Sequence, residues 1–145
     1  MKPQIIVKRY PYEEPYLIQL EFFVSNGNFR GSTDFYCDAG DLKTIGLALQ
    51  NFPSKVGDEY RYEIGSENQK DQYYVYFLLR AYTIDSVGHC AIQFAININA
   101  VEPNEGICRF SIRADAASIN RLGVLFEKFS RLKDFEFEWS PTLFD

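Results

Sequence analysis

Residues 16–37 decide the fold class of this chain, and they read YLIQLEFFVSNGNFRGSTDFYC. Apolar and polar residues alternate along 16–24, which is typical of a strand with one buried face. The Asn26-Gly27 pair that follows suits the positive φ angles of a tight turn. The alternation then resumes along 29–37. The segment therefore predicts an antiparallel β-hairpin.

Similar patterns on both sides of the hairpin predict further strands. Residues 5–10 form one candidate, which Pro11 and Pro15 end. Residues 73–84 are apolar on both faces, as expected of a strand in the middle of a sheet. The remaining candidates are short alternating segments at 60–64, 90–98 and 108–114. Together they predict an antiparallel sheet of about seven strands.

Two amphipathic helices are predicted, each directly after a strand. Either Asp38 or Asp41 can cap the first, which Pro53 ends. The second begins near Asp115 or Ser118. Their apolar stripes consist of Leu42, Ile45, Leu49 and Phe52 in the first helix and Ile119, Leu122, Phe126 and Phe129 in the second.

The two strand-to-helix junctions resemble each other. When Asp38 is aligned with Asp115 without gaps, Gly46 meets Gly123 in the middle of the two helices. Glycine inside a helix costs about 1 kcal/mol relative to alanine, so the pair suggests close approach to a bulky neighbour such as a Phe or Tyr on the sheet. The alignment predicts a duplicated βββα unit.

The chain has 145 residues, of which 46% are hydrophobic and 17% aromatic, which fits a single α+β domain over 1–145. The two predicted repeat halves cover about 1–53 and 58–132, with one extra strand in the second. The tail, 134–145, alternates around Phe135, Phe137 and Trp139, so it is either an edge strand or a segment packed on the sheet.

Cysteine and histidine patterns exclude several kinds of site. Cys37, Cys90 and Cys108 are odd in number and widely spaced, which disfavours a disulfide framework. Zinc sites use close pairs of Cys or His, and His89 is the one histidine in the chain. The simplest interpretation is three reduced, buried thiols in a reducing cytoplasm.

No constellation of catalytic residues emerges from the sequence. His89 and Cys90 are neighbours on a predicted strand, so their side chains point to opposite faces and cannot form a nucleophile pair. The carboxylates lie in loops and on polar faces, and no phosphate-binding glycine loop is present. We therefore predict a protein that is not an enzyme, with no catalytic, cofactor-binding or metal-binding residues.

The net charge of −5 and the pI of about 4.9 bear on partners and location. Without a cluster of basic residues, direct binding to the phosphate backbone of a nucleic acid is disfavoured, and a basic protein partner fits better. Residues 1–8 contain only a short apolar run, and no segment reaches membrane-spanning length. The sequence thus predicts a soluble, cytoplasmic protein.

Tyrosine is the residue type that best suits a surface for binding a partner. Clustered tyrosines among acidic residues suit a protein-binding surface, because each ring buries a large area at a small entropic cost. The alternative is that tyrosine is simply a good strand former. The tyrosines in or near predicted strands are Tyr10, Tyr12, Tyr16, Tyr60, Tyr62, Tyr73, Tyr74, Tyr76 and Tyr82.

The order of several motifs resembles the WapI-type bacterial immunity proteins and related bacterial proteins. The resemblance rests on NFRGS at 28–32, a helix from Asp41-Leu42 to Phe52-Pro53, paired long strands, and FSIRAD at 110–115 before a final helix. It implies a protein without chemistry of its own that neutralises a toxin domain, often a nuclease. It transfers no site residue by motif.

Three functions therefore remain open. The first is a protein-binding module of the immunity type, with a basic toxin domain as partner. The second is a small-ligand-binding domain or enzyme in which apolar strands enclose a cavity. The third is an oligomeric subunit, including a homo-oligomer, in which the tail around Phe135, Phe137 and Trp139 docks on another chain.

Overall fold

The computed structural model describes residues 2–141, which form eight strands and two helices. The fold is α+β, as predicted. Short 3-10 turns cover Pro11–Glu13 and Gln69–Asp71. The strands and helices in chain order are β1 (Pro3–Tyr10), β2 (Ile18–Asn26), β3 (Arg30–Cys37), α1 (Ala39–Gln50), β4 (Glu59–Gly65), β5 (Tyr76–Thr83), β6 (His89–Asn97), β7 (Ile107–Asp115), α2 (Ala116–Phe129) and β8 (Glu136–Trp139).

The hairpin that decided the fold class is confirmed as β2 and β3. The N–H of Asn26 donates to the Phe29 carbonyl at 3.0 Å, and the carboxamide oxygen of Asn26 accepts from the N–H of Asn28 at 2.9 Å. Gly27 takes a φ of 97°, which a residue with a side chain rarely adopts. The turn sequence therefore sets the register of the two strands.

The antiparallel strands are divided between two sheets of four. Sheet 1 has the order β3-β2-β1-β8, and sheet 2 has the order β4-β5-β6-β7. β5 and β6 are central in sheet 2, which explains why both of their faces are apolar. The alternation in the sequence identified strands and their buried faces, but it carried no information about which strands share a sheet.

The tail contributes strand β8 at the edge of sheet 1, where Val7 pairs with Phe137 and Ile5 with Trp139. Trp139 is only 1% exposed. Phe137 and Trp139 therefore pack within their own chain, whereas Phe135 is 58% exposed. Residues 142–145 of the tail lie outside the described residues.

The two repeat units are interlocked through their last strands. β4 follows α1 and pairs with β5 of the second unit, while β8 follows α2 and pairs with β1 of the first. The predicted extra strand of the second half, β4, is thus the counterpart of β8. Each unit consists of three strands and a helix. The strand that follows the helix joins the sheet of the other unit.

Each helix begins at the aspartate that the repeat alignment paired. Asp38 accepts a hydrogen bond from the N–H of Asp41 at 2.9 Å, and Asp115 accepts one from the N–H of Ser118 at 2.7 Å. Both capping residues have extended backbone angles. These bonds satisfy N–H groups that have no partner within the first turn.

An aromatic side chain ties each of the interlocking strands to the start of a helix. The hydroxyl of Tyr62 in β4 donates to the Asp41 carboxylate at 3.0 Å. The indole N–H of Trp139 in β8 donates to the Ser118 carbonyl at 2.9 Å. The two bonds occupy equivalent places in the repeat, so the same junction is built with different side chains.

The inner faces of both sheets share one core with the two helices. The ring of Phe77 in β5 lies 4.7 Å from that of Phe22 in β2 and 4.8 Å from that of Phe35 in β3, measured between centroids. Phe126 of α2 contacts Phe22 and the ring of Phe137. No helix in the described part of the chain has the length and apolar character to cross a membrane.

The mid-helix glycines lie where α1 and α2 cross. A Cβ atom added to Gly46 would sit 2.6 Å from the backbone nitrogen of Glu127, and one added to Gly123 would sit 2.7 Å from that of Gln50. The predicted close approach is confirmed, but the bulky neighbour is the backbone of the other helix and not a ring on the sheet. Gln50 also donates to the Glu127 carboxylate at 2.7 Å.

We expect replacement of Gly46 or Gly123 by alanine to destabilise the protein by about 1–3 kcal/mol. The overlap with backbone atoms should outweigh the gain in helix propensity, which is about 1 kcal/mol. Urea unfolding of each variant measures the change.

The matched control is Thr44→Ala, an exposed site in α1, where only propensity changes. An unchanged or increased stability of Gly46→Ala would contradict a close-packed crossing.

Candidate functional site

The outer face of sheet 1, which we call the sheet-1 face, is crossed by rows of paired residues. One row, Ile6-Phe23-Ser32, ends at Glu138 on β8. The next row places Glu136, Lys8, Glu21 and Asp34 side by side, and the last places Tyr10 and Tyr36 on either side of Gln19. An apolar end, an acidic centre and a tyrosine end therefore follow one another along the strands.

An open groove of about 760 Å³ occupies the apolar end of the sheet-1 face. Ile6 and Phe23 contribute apolar surface to it, and Arg30, Glu136 and Glu138 stand among its lining residues. Lys8 also lines it, with its ammonium 5.3 Å from the centre of the Phe23 ring. A groove on the outside of a sheet is accessible to a segment of another chain, as well as to small molecules.

Several carboxylates of the sheet-1 face are available to an external partner. Asp34 and Glu138 have no hydrogen bond or ion pair within residues 2–141, and both are exposed. Glu136 meets Lys8 at 3.8 Å with both side chains about half exposed, which contributes little stability. The negative charge of these three carboxylates is therefore largely unneutralised within the chain.

The tyrosine end of the face is organised by the same carboxylates. The Tyr10 hydroxyl donates to Glu21 at 2.5 Å, and this bond, with partial burial, raises the pKa of Tyr10. Tyr74, which precedes β5, has its pKa raised by burial and then by the nearby charge of Asp34. Tyr36 is 39% exposed on the edge strand. Two of the predicted tyrosines, Tyr10 and Tyr74, thus lie near carboxylates at this end of the face.

The other predicted tyrosines are distributed elsewhere. Tyr60 and Tyr62 point inward from β4 and pack against the core. Tyr76 and Tyr82 lie on the outer face of sheet 2, as expected of the side of β5 opposite Phe77. For these four residues the simpler interpretation, that tyrosine is a good strand former, accounts for the sequence.

The carboxylates on the outer face of sheet 2 are paired within the chain. Arg80 donates to Glu59 at 2.8 Å and lies 4.1 Å from the centre of the Tyr82 ring. The Tyr76 hydroxyl donates to Glu63 at 2.8 Å, and burial, followed by this bond, raises the pKa of Tyr76 to about 12. Further pairs join Arg61 to Glu59 and Glu63, Glu67 to Asn97 and Arg109, and Tyr82 to Ser111.

The loop between β1 and β2 closes the tyrosine end of sheet 1, and it is held from two sides. On the outer side the Tyr12 ring stacks on Tyr10, with centroids 6.2 Å apart. On the inner side the buried guanidinium of Arg9 pairs with the Glu14 carboxylate and donates to the Asp134 carbonyl at 3.0 Å. The Arg9 guanidinium also lies 4.6 Å from the centre of the Phe135 ring.

Sequence reasoning missed Arg9, although a signal was present. Arg9 continues the inward-facing row of Ile5 and Val7, and a charge in that position is rarely buried without a partner. The sequence does not reveal that the partner is Glu14, because that contact depends on how the loop folds back over the strand.

Residues capable of chemistry are dispersed in the structure. His89 is exposed and its Nδ1 atom lies 2.5 Å from Asp85, in the turn before β6. Cys37 and Cys90 are buried and Cys108 is partly buried. Among residues 2–141, no three His, Cys, Asp or Glu side chains are grouped so that they could hold a metal ion.

Comparisons with known proteins add a resemblance in shape. No protein-family profile matches the chain, and no curated protein was found to be related to it. A solved structure described as the plant transcriptional regulator PBF-2 is similar with a TM-score of 0.48 and 10% sequence identity. The similarity covers 90% of this chain and 76% of that chain. It assigns neither a family nor a function.

The thiols provide a test of the packing around the start of α1. Burial, and then the charges of Asp41 and Asp38, raise the pKa of Cys37 to about 12. Because the thiolate is the reactive form, we expect Cys37 to react with iodoacetamide about 100-fold more slowly than a free cysteine at mildly alkaline pH.

Mass spectrometry of peptides from the folded protein measures this rate, and urea-unfolded protein is the control in which all three cysteines should label alike. Rapid labelling of Cys37 in the folded state would contradict the buried position.

Proposed function

We propose that this protein is a non-catalytic protein-binding module, and that its sheet-1 face binds a basic protein. In its most specific form the proposal is an immunity protein that neutralises a cognate toxin domain, as the WapI-type resemblance implies. The partner is then a domain with a positively charged surface, and the complex forms without any chemical change in either protein.

One observation supports this proposal: the carboxylates on the outer face of sheet 2 are paired with arginines, whereas those on the sheet-1 face are largely unpaired. On sheet 2, Arg80, Arg61 and Arg109 neutralise the neighbouring carboxylates. On sheet 1, Asp34 and Glu138 have no partner within the described residues. A face with free carboxylates next to exposed rings has both the charge and the contact area that a basic partner requires.

The overall charge favours the same class of partner. With a net charge of −5, the chain attracts basic surfaces from a distance, which raises the rate of encounter. Specific contacts at the sheet-1 face would then determine the orientation of the complex. This combination is useful to a protein that must capture a toxin domain quickly.

The interior offers less support for a small-ligand site. Phe22, Phe35, Phe77 and Phe126 fill the space between the sheets and helices, and each is at most 1% exposed. The groove beside Phe23 is open, on the outer surface of sheet 1. An enclosed cavity was the feature on which that alternative depended.

The neighbouring gene supplies the first test. We expect it to encode a large protein with a variable toxic C-terminal domain. Co-expression of that domain with this protein should restore growth of the host cells, and the two should co-purify. Toxicity that is unaffected by co-expression, together with the absence of a complex, would contradict the immunity form of the proposal.

Charge reversal on the sheet-1 face tests the interface itself. We expect Asp34→Lys together with Glu138→Lys to weaken the complex about 10- to 100-fold, mainly by slowing association, because both carboxylates are exposed and steer a basic partner. Surface plasmon resonance at several salt concentrations measures the rates, and the salt dependence should become shallower.

The matched control is Glu102→Lys together with Glu105→Lys, which changes the charge by the same amount on an exposed loop between β6 and β7. Equal weakening by the control would show that only net charge matters and would remove the sheet-1 face from the proposal. A fluorescent single-stranded oligonucleotide should not bind, and tight binding of it would contradict a protein partner.

A further inference from the structure

We infer that the loop between β1 and β2 is the anchor of the sheet-1 face, and that its tyrosines receive cationic side chains of the partner. This inference rests on the proposed function. It assigns the strongest contacts to residues 11–17, next to the tyrosine end of the face, and not to the groove. It names lysine and arginine side chains as the groups that are recognised.

Exposure singles out this loop. Tyr16 and Tyr12 are 87% and 80% exposed, the highest values among the large hydrophobic side chains in the described chain. Glu13 lies between them in sequence and is exposed as well. Two accessible rings with a carboxylate between them combine ring faces that attract cations with a full negative charge.

The loop is held rigid although its rings face solvent. The N–H groups of Tyr16 and Leu17 both donate to the Glu13 carbonyl, at 3.1 and 3.2 Å. Arg9 holds Glu14 from the inner side, while Tyr10 supports the Tyr12 ring from the outer side. A partner would therefore meet a Tyr12 ring that is already in place and a backbone that is fixed at Tyr16, which lowers the conformational entropy lost on binding.

Arg9 is a positioning residue in this arrangement. Its guanidinium is 4% exposed and holds together β1, the loop and the segment before β8. The Nη2 atom of Arg9 and the Oε2 atom of Glu14 are buried without a hydrogen-bond partner among the described residues. Loss of either partner would leave a buried charge, so the pair strongly favours the closed loop.

The opposite end of sheet 1 also has an exposed ring, but a cationic residue follows it in the sequence. Phe29 in the β2–β3 turn is 66% exposed, and Arg30 follows it directly. At the loop, Glu13 follows Tyr12 directly in the sequence, and Glu21 bonds the hydroxyl of Tyr10, on which the Tyr12 ring stacks. The charge of the surroundings therefore directs a cationic side chain to the β1–β2 loop.

Nuclear magnetic resonance with oligolysine and oligoarginine peptides tests the recognition directly. We expect amide shifts in residues 11–17 that grow with either peptide and are absent with an oligoglutamate peptide. Shifts confined to the groove residues Phe23, Arg30 and Ser32 would overturn the inference, and so would the absence of shifts with both basic peptides.

Variants separate the anchor from the rest of the face. We expect Tyr12→Ala together with Tyr16→Ala to weaken peptide binding about tenfold, since each ring loses a cation–π contact. Phe29→Ala removes an exposed ring from the other end of sheet 1 and should leave binding unchanged. Similar losses in both variants would overturn the inference.

Glu14→Gln tests the positioning role of the Arg9 pair with every exposed ring left in place. We expect a larger increase in amide exchange in residues 11–17 than in the strands of sheet 1, and weaker peptide binding. If the loop exchanges faster while binding is unchanged, the rings act without preorganisation and the positioning role is wrong.

The outcomes keep this inference apart from the proposed function. Toxin protection that depends on Asp34 and Glu138 but not on Tyr12 and Tyr16 would remove the anchor and retain the binding module. Peptide binding at the loop without any effect on a toxin would retain the anchor and remove the immunity role.

Discussion

The structure depends on the close crossing of α1 and α2 at Gly46 and Gly123. Each glycine lies against the backbone of the other helix, and each does so at the equivalent position of the repeat. Side chains larger than hydrogen would hold the helices farther apart, and the residues below them could not maintain close contact. The crossing therefore relates the two units by an approximate twofold arrangement.

This arrangement makes the interlocking of the two units possible. With the helices crossed, the chain leaving each helix is directed toward the sheet of the other unit, where it adds β4 or β8 to an edge. Tyr62 and Trp139 then secure these strands to the first turn of each helix. The halves share a core and each completes the other, so cooperative folding of the whole chain is the natural consequence.

The repeated scaffold does not present two equivalent surfaces. Inward positions must fill the same kind of core in both units, and this requirement keeps them alike. Outward positions do not fill the core, and the two outer faces differ. Paired arginines and carboxylates lie on sheet 2, whereas sheet 1 presents Asp34, Glu138 and exposed rings. Unpaired carboxylates forgo the stability that internal ion pairs would add. We therefore expect the function to lie on the sheet-1 face, where such carboxylates remain.

The sequence by itself determined seven of the strands, their buried faces, two candidate caps for each helix and the importance of the paired glycines. These features depend on residues that are close in the chain, through the periods of strands and helices and the turn preferences of Asn and Gly. Only the tertiary structure decided that there are two sheets, that β8 belongs to the first, and that the glycines meet a helix. It also decided that Arg9 pairs with Glu14 and which carboxylates remain free. Such features depend on contacts between distant segments or on the path of a loop, and neither leaves a local pattern in the sequence.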